Sequence, residues 1–236
     1  TLRSHTPENV PITFWSVISV GNNFDAHMYA EYRQYNYLMP LHAFGDCDLE
    51  YLRNQILPFF IGKHSFHNYS KKISADNVSA IKLITDFQIS DPFILSSNNK
   101  NEGEEYVLWY IRGNSFLINQ IRKMLATILS VAHNLLTVEQ LQDTFTESKW
   151  GLPRLPGDGL FLNKIEYPNF HKKSMARKDY HEGNKDVEFG SVRSSIEAWK
   201  KNVLFPHIAS IVEKDDIFRK WINETLLKYP PEKFSS

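Results

Sequence analysis

The chain has 236 residues, of which 42% are apolar, 23% charged and 14% aromatic, with 16 Phe, 11 Tyr and a formal net charge of zero. That composition suits one large globular domain or two small ones, with ample means to bury a core. It excludes an internal disulfide, since Cys47 is the single cysteine, and a membrane helix, since no apolar run approaches the roughly 20 residues a span needs; a net charge of zero also argues against non-specific nucleic-acid binding, which is usually basic.

Pro11 to Val20 (PITFWSVISV) is β-branched and loosely alternating, which predicts a strand. Glu31 to Met39 (EYRQYNYLM) predicts a second, stopped by Pro40. Asp46 and Asp48 are placed to cap a helix through Leu49, Leu52, Ile56 and Leu57, ended by Pro58. Residues 62–72 (GKHSFHNYSKK) predict a loop. Ala80 to Ser90 and Tyr106 to Arg112 predict a hairpin pair, joined by the polar stretch SSNNKNEGEE. Residues 116–133 form a strongly apolar helix. Thr137 and Gln140 make a capping box that opens another through Phe145. Gly159 to Tyr167 (GLFLNKIEY) predicts a further strand, and residues 191–211 and 215–228 two terminal helices. The sum is an α+β fold, an antiparallel sheet with helices packed on one face.

Charge is uneven along the neutral chain. Lys164, Lys172, Lys173, Arg177 and Lys178 form one basic stretch, and His64, His67, Lys71 and Lys72 another; residues 102–105 and 213–216 carry much of the opposing acid. Local patches of this kind bind phosphate without a basic total, although a solvated charged surface has the same composition.

Arg122 is the most informative residue. At helical spacing its neighbours are Ile118, Leu125, Ala126 and Leu129, all apolar, which predicts a place on the buried face. A buried guanidinium needs a carboxylate, a phosphate or a ring, because breaking such a pair costs roughly 3–5 kcal/mol. A structural ion pair in the core satisfies the pattern as well as a functional site does. Lys123 falls on the polar face, near Asn119, Thr127 and Ser130. On the strand 31–39, Arg33, Tyr35, Tyr37 and Met39 share a face, and Tyr beside Arg makes a surface on which a base can stack; core packing explains such a pattern equally. The segment Gly62-Lys-His-Ser-Phe-His-Asn-Tyr69 mixes basic and aromatic groups as single-stranded RNA binding requires, with Lys63, His64, Phe66 and His67 as candidates. No metal set is evident, since nothing is placed to complete one with His64 and His67. P-loop, dinucleotide and nucleophile-elbow motifs are absent.

In order along the chain, Phe24-Asp-Ala, Tyr32-Arg-Gln-Tyr-Asn-Tyr-Leu-Met-Pro40, Gly62 to Tyr69, Ser90-Asp-Pro-Phe93, Gly113-Asn-Ser-Phe-Leu-Ile-Asn-Gln-Ile-Arg-Lys-Met124 and Pro156-Gly-Asp-Gly-Leu-Phe-Leu162 with Tyr167 resemble the TruA-type tRNA pseudouridine synthases, in particular their eukaryotic multisite branch. The resemblance covers roughly residues 5–170. The terminal helices resemble the C-terminal extension of that branch more loosely. It implies the pseudouridine synthase fold, two α+β halves around a basic cleft. The expected division is residues 1–45 as the end of the first half, 46–170 as the second half, and 171–236 as a basic linker and helical extension. The implied activity is isomerisation of uridine to pseudouridine in tRNA, without a cofactor or metal. In that reaction the base is flipped out, an Asp acts on it, the C–N glycosidic bond breaks, the base rotates and a C–C bond forms.

Two family roles fall on residues of this chain. Tyr35 matches the Tyr that packs on the target base and is placed for proton transfer. Arg122 matches the Arg that pairs with the catalytic Asp and keeps it ionised. Arg33, Tyr37, Lys63, His64, Phe66, His67, Lys123, Lys172, Lys173 and Arg177 are the expected RNA contacts. The family's Asp lies in an Arg-Thr-Asp motif upstream of the strand resembling Pro11 to Val20, and no such motif occurs in these residues. Asp25 belongs to a different motif, and His27 stands where many relatives have Arg. The expectation is a C-terminal portion of a synthase, inactive by itself; a non-catalytic RNA-binding or assembly protein derived from the family is the alternative, and a structural partner using its aromatic surface a third. Relatives act in the nucleus or mitochondrion, so an intracellular place is expected. No membrane contact is expected, and the oligomeric state is open.

Overall fold

The computed structural model describes residues 13–17, 20, 22, 24–95, 103–170 and 190–234. By compactness the chain divides into one unit of Thr1–Glu31 with Glu166–Leu204 and a larger one of Tyr32–Ile165 with Phe205–Ser236. The boundaries expected from the resemblance follow the halves of a synthase fold and not this division.

The larger unit is built on a six-stranded sheet. Its strands are β1 (Tyr32–Pro40), β2 (Gly62–Ser65), β3 (Ile81–Ile89), β4 (Phe93–Leu95), β5 (Glu104–Gly113) and β7 (Leu160–Glu166), which closes into the smaller unit at its last residue. The order is β2-β3-β5-β1-β7, with β4 also on β5. β5 is the antiparallel partner of both β1 and β3; Tyr35 lies opposite Ile111 and Tyr37 opposite Trp109, and a bulge between Ile84 and Asp86 shifts the β3 register. The segment expected as a loop at 62–72 is therefore partly regular. Its first four residues pair with β3, Gly62 against Ile84, and His67–Tyr69 is one 3-10 turn. Gly62 takes φ +112° at the entry to β2, a conformation a side chain would strain.

The helices follow their caps. Asp48 accepts the Glu50 amide at 3.0 Å and opens α1 (Leu49–Tyr51), which continues as a π turn, Leu52–Ile56, and a 3-10 turn, Leu57–Phe60. Pro58 sits inside that last turn, where its missing N–H costs nothing, and does not end the helical path. The apolar helix α2 runs Gln120–Ala132 and starts four residues later than expected. Asn119 adopts a left-handed φ of 67° there, so the preceding turn is not helical. α3 (Val138–Asp143) has the predicted capping box, with Thr137 Oγ1 accepting the Gln140 amide at 3.2 Å and Gln140 Oε1 the Thr137 amide at 2.9 Å. α5 (Phe205–Lys214) and α6 (Ile217–Trp221) account for the predicted terminal helices together with α4 (Arg193–Trp199) in the smaller unit. A pair of short strands escaped the sequence reading: β6 (Trp150–Gly151) with β8 (Glu232–Lys233).

The core sits on both sides of β1 and β5. Asn36, Tyr37, Leu38, Met39 and Pro40 are consecutively buried, so each face of the strand is covered. On one side Trp109 stacks on Phe44 and tilts against Phe87. On the other, the Tyr106 hydroxyl donates to Glu213 Oε1 of α5 at 3.1 Å, and Phe205 of α5 meets Phe93 and Phe161. Full burial of such apolar side chains stabilises by about 1.5–3 kcal/mol each.

In the smaller unit Phe24, Tyr29, Tyr167 and Phe170 form an aromatic cluster with centroids 4.6–6.0 Å apart. Asp25 Oδ1 accepts the His27 and Met28 amides at 2.8 Å each, and these bonds hold its carboxyl below the usual range. The acid nearest the family's missing motif thus has a turn-forming role. The described residues of the strand expected at 11–20, namely 13–17 and 20, are not in a strand. Trp15 instead meets Trp199 edge-on at 5.9 Å. Residues 96–102 of the polar connection lie outside the described residues, and Glu104 already belongs to β5.

Gly159 packs directly on β1: a Cβ there would lie 2.3 Å from the Leu38 carbonyl oxygen, while its own carbonyl accepts the Leu38 amide at 2.9 Å. Gly159→Ala is expected to lower unfolding stability by about 1–3 kcal/mol, the typical cost of overpacking. Gly190→Ala, where nothing lies within 4 Å of the added carbon, is expected to leave the urea midpoint near wild type. Equal midpoints for the two variants would show that the Gly159 contact relaxes freely.

Candidate active site

Three segments of the larger unit meet at Arg122: β1, the first turn of α2, and the strap Arg154–Gly159 (RLPGDG). The strap is tied to the helix by a reciprocal pair, Arg122 Nε donating to the Leu155 carbonyl at 2.6 Å and the Leu155 amide to the Arg122 carbonyl at 3.3 Å. It is tied to the strand by the Tyr37 hydroxyl, which donates to the Pro156 carbonyl at 2.8 Å. The Trp221 indole N–H of α6 donates to the Arg154 carbonyl at 2.9 Å. Gly157 passes beneath the guanidinium, whose Cζ lies 3.7 Å from where a Cβ would sit.

Helical spacing predicts a buried Arg122; in the structure it is half-buried. Leu125, Ala126 and Leu129 wall one side, but Ile118 lies before the helix starts and is exposed, so the other side is open. Among the described residues no carboxylate reaches ion-pair distance, and Nε is the guanidinium nitrogen with a hydrogen-bond partner. Burial, then the Arg154 guanidinium, push Arg122 below its ordinary value, against the opposing pull of Tyr37 and the exposed Asp158. The site therefore presents a partly desolvated cation whose two terminal nitrogens are aimed at no protein anion. Such a cation in a field of like charge binds an anion with little reorganisation.

Lys123 departs from the polar-face expectation. Its ammonium donates to the Asn68 and Ser70 carbonyls at 2.9 and 3.1 Å, clamping the 3-10 turn to α2. Burial, then Arg154 and Lys71, bring it down to about 8.

Tyr35 is half-buried on β1, edge-on to Phe116 at 5.3 Å. No hydrogen bond joins it to Arg122; the strand links them through Tyr37, two residues on. Arg33 Nη1 donates to the Asn114 carbonyl at 2.9 Å. Tyr37 is completely buried, edge-on to Phe218, and burial pushes its phenol well up. It holds the strap and offers no ring face to a base. Phe66 is likewise fully buried, in a cluster with Tyr69 and Phe145, and His67 is 7% exposed, held by Ser65 Oγ at 3.1 Å and the Ser148 carbonyl at 3.3 Å. The aromatic part of the 62–69 segment is thus core. Lys63 is exposed; His64 is half-buried, with Nε2 2.9 Å from the Ile61 carbonyl. Lys172, Lys173 and Arg177 lie outside the described residues. Sequence reasoning missed Arg154, Phe116 and the Leu155 and Pro156 carbonyls. Carbonyl positions leave no side-chain signal, whereas Phe116, in the quoted Gly113–Met124 motif, was visible.

Residues 58–168 match the model of a family described as tRNA pseudouridine synthase. Pseudouridylate synthase 1 homolog of Mus musculus is 24% identical over 235 residues, covering 94% of this chain and 53% of the relative; its Homo sapiens counterpart is 23% identical over 235 residues, covering 94% and 52%. The tRNA pseudouridine synthase 1 of Yarrowia lipolytica is 28% identical over 170 residues, covering 72% and 30%. The fold is an α+β body with a helical extension, and its match is to a family described by RNA modification. Over residues 58–168 the chain resembles the TruA-type tRNA pseudouridine synthases, and the relatives named here are eukaryotic. It spans about half the length of the mouse and human relatives.

The Lys123 clamp gives a direct check. A 13C titration at the Lys123 Cε, assigned by its disappearance in Lys123→Met, is expected to have its midpoint near 8. Because the folded value is depressed, the unfolded state holds more protons between that midpoint and the ordinary lysine value. The Lys123 contribution to stability accordingly rises with pH through that window. A midpoint at the ordinary lysine value of about 10.4 would mean that the ammonium is not enclosed.

Proposed function

We propose that this chain forms the Arg and Tyr side of the active site of an RNA pseudouridine synthase acting on tRNA. The observation that carries the reading is Arg122: a half-buried guanidinium, held by the strap through Nε, with two nitrogens directed at no carboxylate among the described residues, on the motif that resembles the family's Asp-pairing Arg. In this reading the two nitrogens hold the catalytic carboxylate ionised, and that Asp comes from an Arg-Thr-Asp segment not among these 236 residues. Tyr35 packs on the flipped uridine from β1, with Phe116 bracing its ring edge-on. Arg33, Lys63, His64 and Lys123 are RNA contacts in this reading, and the basic stretch with Lys172, Lys173 and Arg177, outside the described residues, is expected to add phosphate-binding charge. Tyr37, Phe66 and His67 act from within the core, by holding the strap and the turn. The lone Cys47 suits the reducing compartment that goes with a nuclear or mitochondrial enzyme.

The second reading is a non-catalytic RNA-binding relative. One experiment separates them. In the full-length protein, Arg122→Ala is expected to lower pseudouridine formation in a tRNA transcript by about 100-fold or more, the scale for removing one preorganised charge-stabilising donor, while tRNA binding persists. Normal turnover by the variant would make Arg122 structural; tRNA binding with no turnover by the unmodified protein would establish the second reading.

The basic stretch gives a further check. Neutralising Lys172, Lys173 and Arg177 together is expected to weaken tRNA binding and to flatten its salt dependence by about two to three units of log K per log salt. An unchanged slope would remove that stretch from the RNA surface.

A further inference from the structure

A hollow of about 490 Å³ lies beside the turn that Lys123 clamps, between residues 70–75 and the β6–β8 strand pair. Its composition is not that of a packing defect. Phe234 lines it with 45% of its surface exposed, and the Phe234 amide donates to the Lys149 carbonyl at 2.8 Å, fixing the ring's place. The tip of the ring lies against Gly151, where a Cβ would come within 2.8 Å of its Cζ, so glycine makes room for it at β6. Lys72 and Lys149 line the same hollow, both exposed, and neither ammonium has an ion-pair partner among the described residues. Asp143, the acid beside β6, is already occupied by Lys233 at 2.9 Å and by the Trp150 indole N–H at 2.9 Å. Glu147 is the opposing charge at the rim.

The hollow is also joined to the candidate active site. Asn68 and Ser70 form its wall, and their carbonyls are held by Lys123, the residue after Arg122. Arg154 acts on both Arg122 and Lys123, and Lys71 acts on Lys123; Lys71 adjoins Lys72 in the chain, so cations continue from the active site to the hollow. An accessible aromatic ring beside two cations, at the end of such a series, is the chemistry that holds an unpaired nucleotide: stacking for the base and charge for the phosphate.

We propose that this hollow takes one unpaired nucleotide of the RNA substrate, its base against Phe234 and its phosphate at Lys72 and Lys149. The inference rests on the reading of this chain as an RNA-binding synthase and adds a second point of attachment to it. It is tested with the full-length protein and a fluorescent tRNA transcript, with binding measured over a series of salt concentrations. Phe234→Leu, which keeps apolar bulk on Gly151, and Phe234→Ala are each expected to weaken binding about tenfold, within the range for loss of one stacked base. Phe234→Tyr is expected to bind as wild type. Lys72→Ala combined with Lys149→Ala is expected to reduce the slope of log K against log salt by about 0.7, the value for one single-strand phosphate contact. Wild-type affinity for Phe234→Leu, or an unchanged slope for the lysine pair, overturns the proposal while leaving the RNA reading intact. Failure of the unmodified protein to bind the transcript overturns both.

Discussion

The site depends on one reciprocal pair of hydrogen bonds, between Arg122 and Leu155. A guanidinium removed from water must recover its hydrogen bonds elsewhere, and a half-buried one recovers only some. Here the strap supplies a single carbonyl, to Nε, and the strap's own amide is satisfied by the helix in return. The planar fork is thereby oriented through the nitrogen nearest its stem, while the two terminal nitrogens stay outside the pair. A lysine at this position would have no second, fixed set of donors to offer. The same bond that holds the strap in place leaves the cation competent to bind something else.

That arrangement extends well beyond the site. The strap has few side chains of its own to bury, and it is pinned at successive carbonyls from different elements: Trp221 of α6 at Arg154, Arg122 of α2 at Leu155, Tyr37 of β1 at Pro156. Phe218 of α6 then covers the Tyr37 ring, and Arg219 reaches Glu104 on β5 at 3.8 Å. The terminal helices are thus part of the wall behind Arg122. Removing them would strip a donor from the strap and expose a phenol whose hydroxyl is its next anchor, leaving buried polar groups unpaired.

Much of the scaffold was legible in the sequence because it is governed by local rules. The capping box at Thr137 and Gln140, the apolar period of α2 and the apolar, aromatic-rich runs of β1, β3 and β5 each have a pattern of side chains behind them. Arg122 stood out for the same reason, as a charge among apolar neighbours. Its degree of burial did not follow, because Asn119 takes a left-handed conformation and removes Ile118 from the helix that the periodicity assumed. The aromatic residues of the 62–69 segment were misplaced for a different reason. Composition does not distinguish a ring that stacks on a base from one that stacks on Phe145, and only the pairing of β2 with β3 decides that Phe66 turns inward. Backbone carbonyls, which do most of the positioning at the site, have no sequence signal at all.

Electrostatics reconciles a neutral chain with the anionic substrate proposed for it. Several of the acids are tied up in structural pairs: Glu50 and Asp91 with Arg53, Glu104 with His42, Asp143 with Lys233. Arg154 instead lies close enough to lower the proton affinity of both Arg122 and Lys123, and Lys71 adds to the effect at Lys123. Such grouping costs folding energy, since like charges at partly desolvated positions repel. It is offset by the carbonyls of Leu155, Asn68 and Ser70, which supply partial negative charge without supplying a counter-ion. A carboxylate in their place would have stabilised the fold more and cancelled the field. A surface that neutralises its acids in pairs and its bases with backbone dipoles keeps a local positive potential at zero net charge, the property that the proposed binding of a phosphate backbone and a catalytic carboxylate requires.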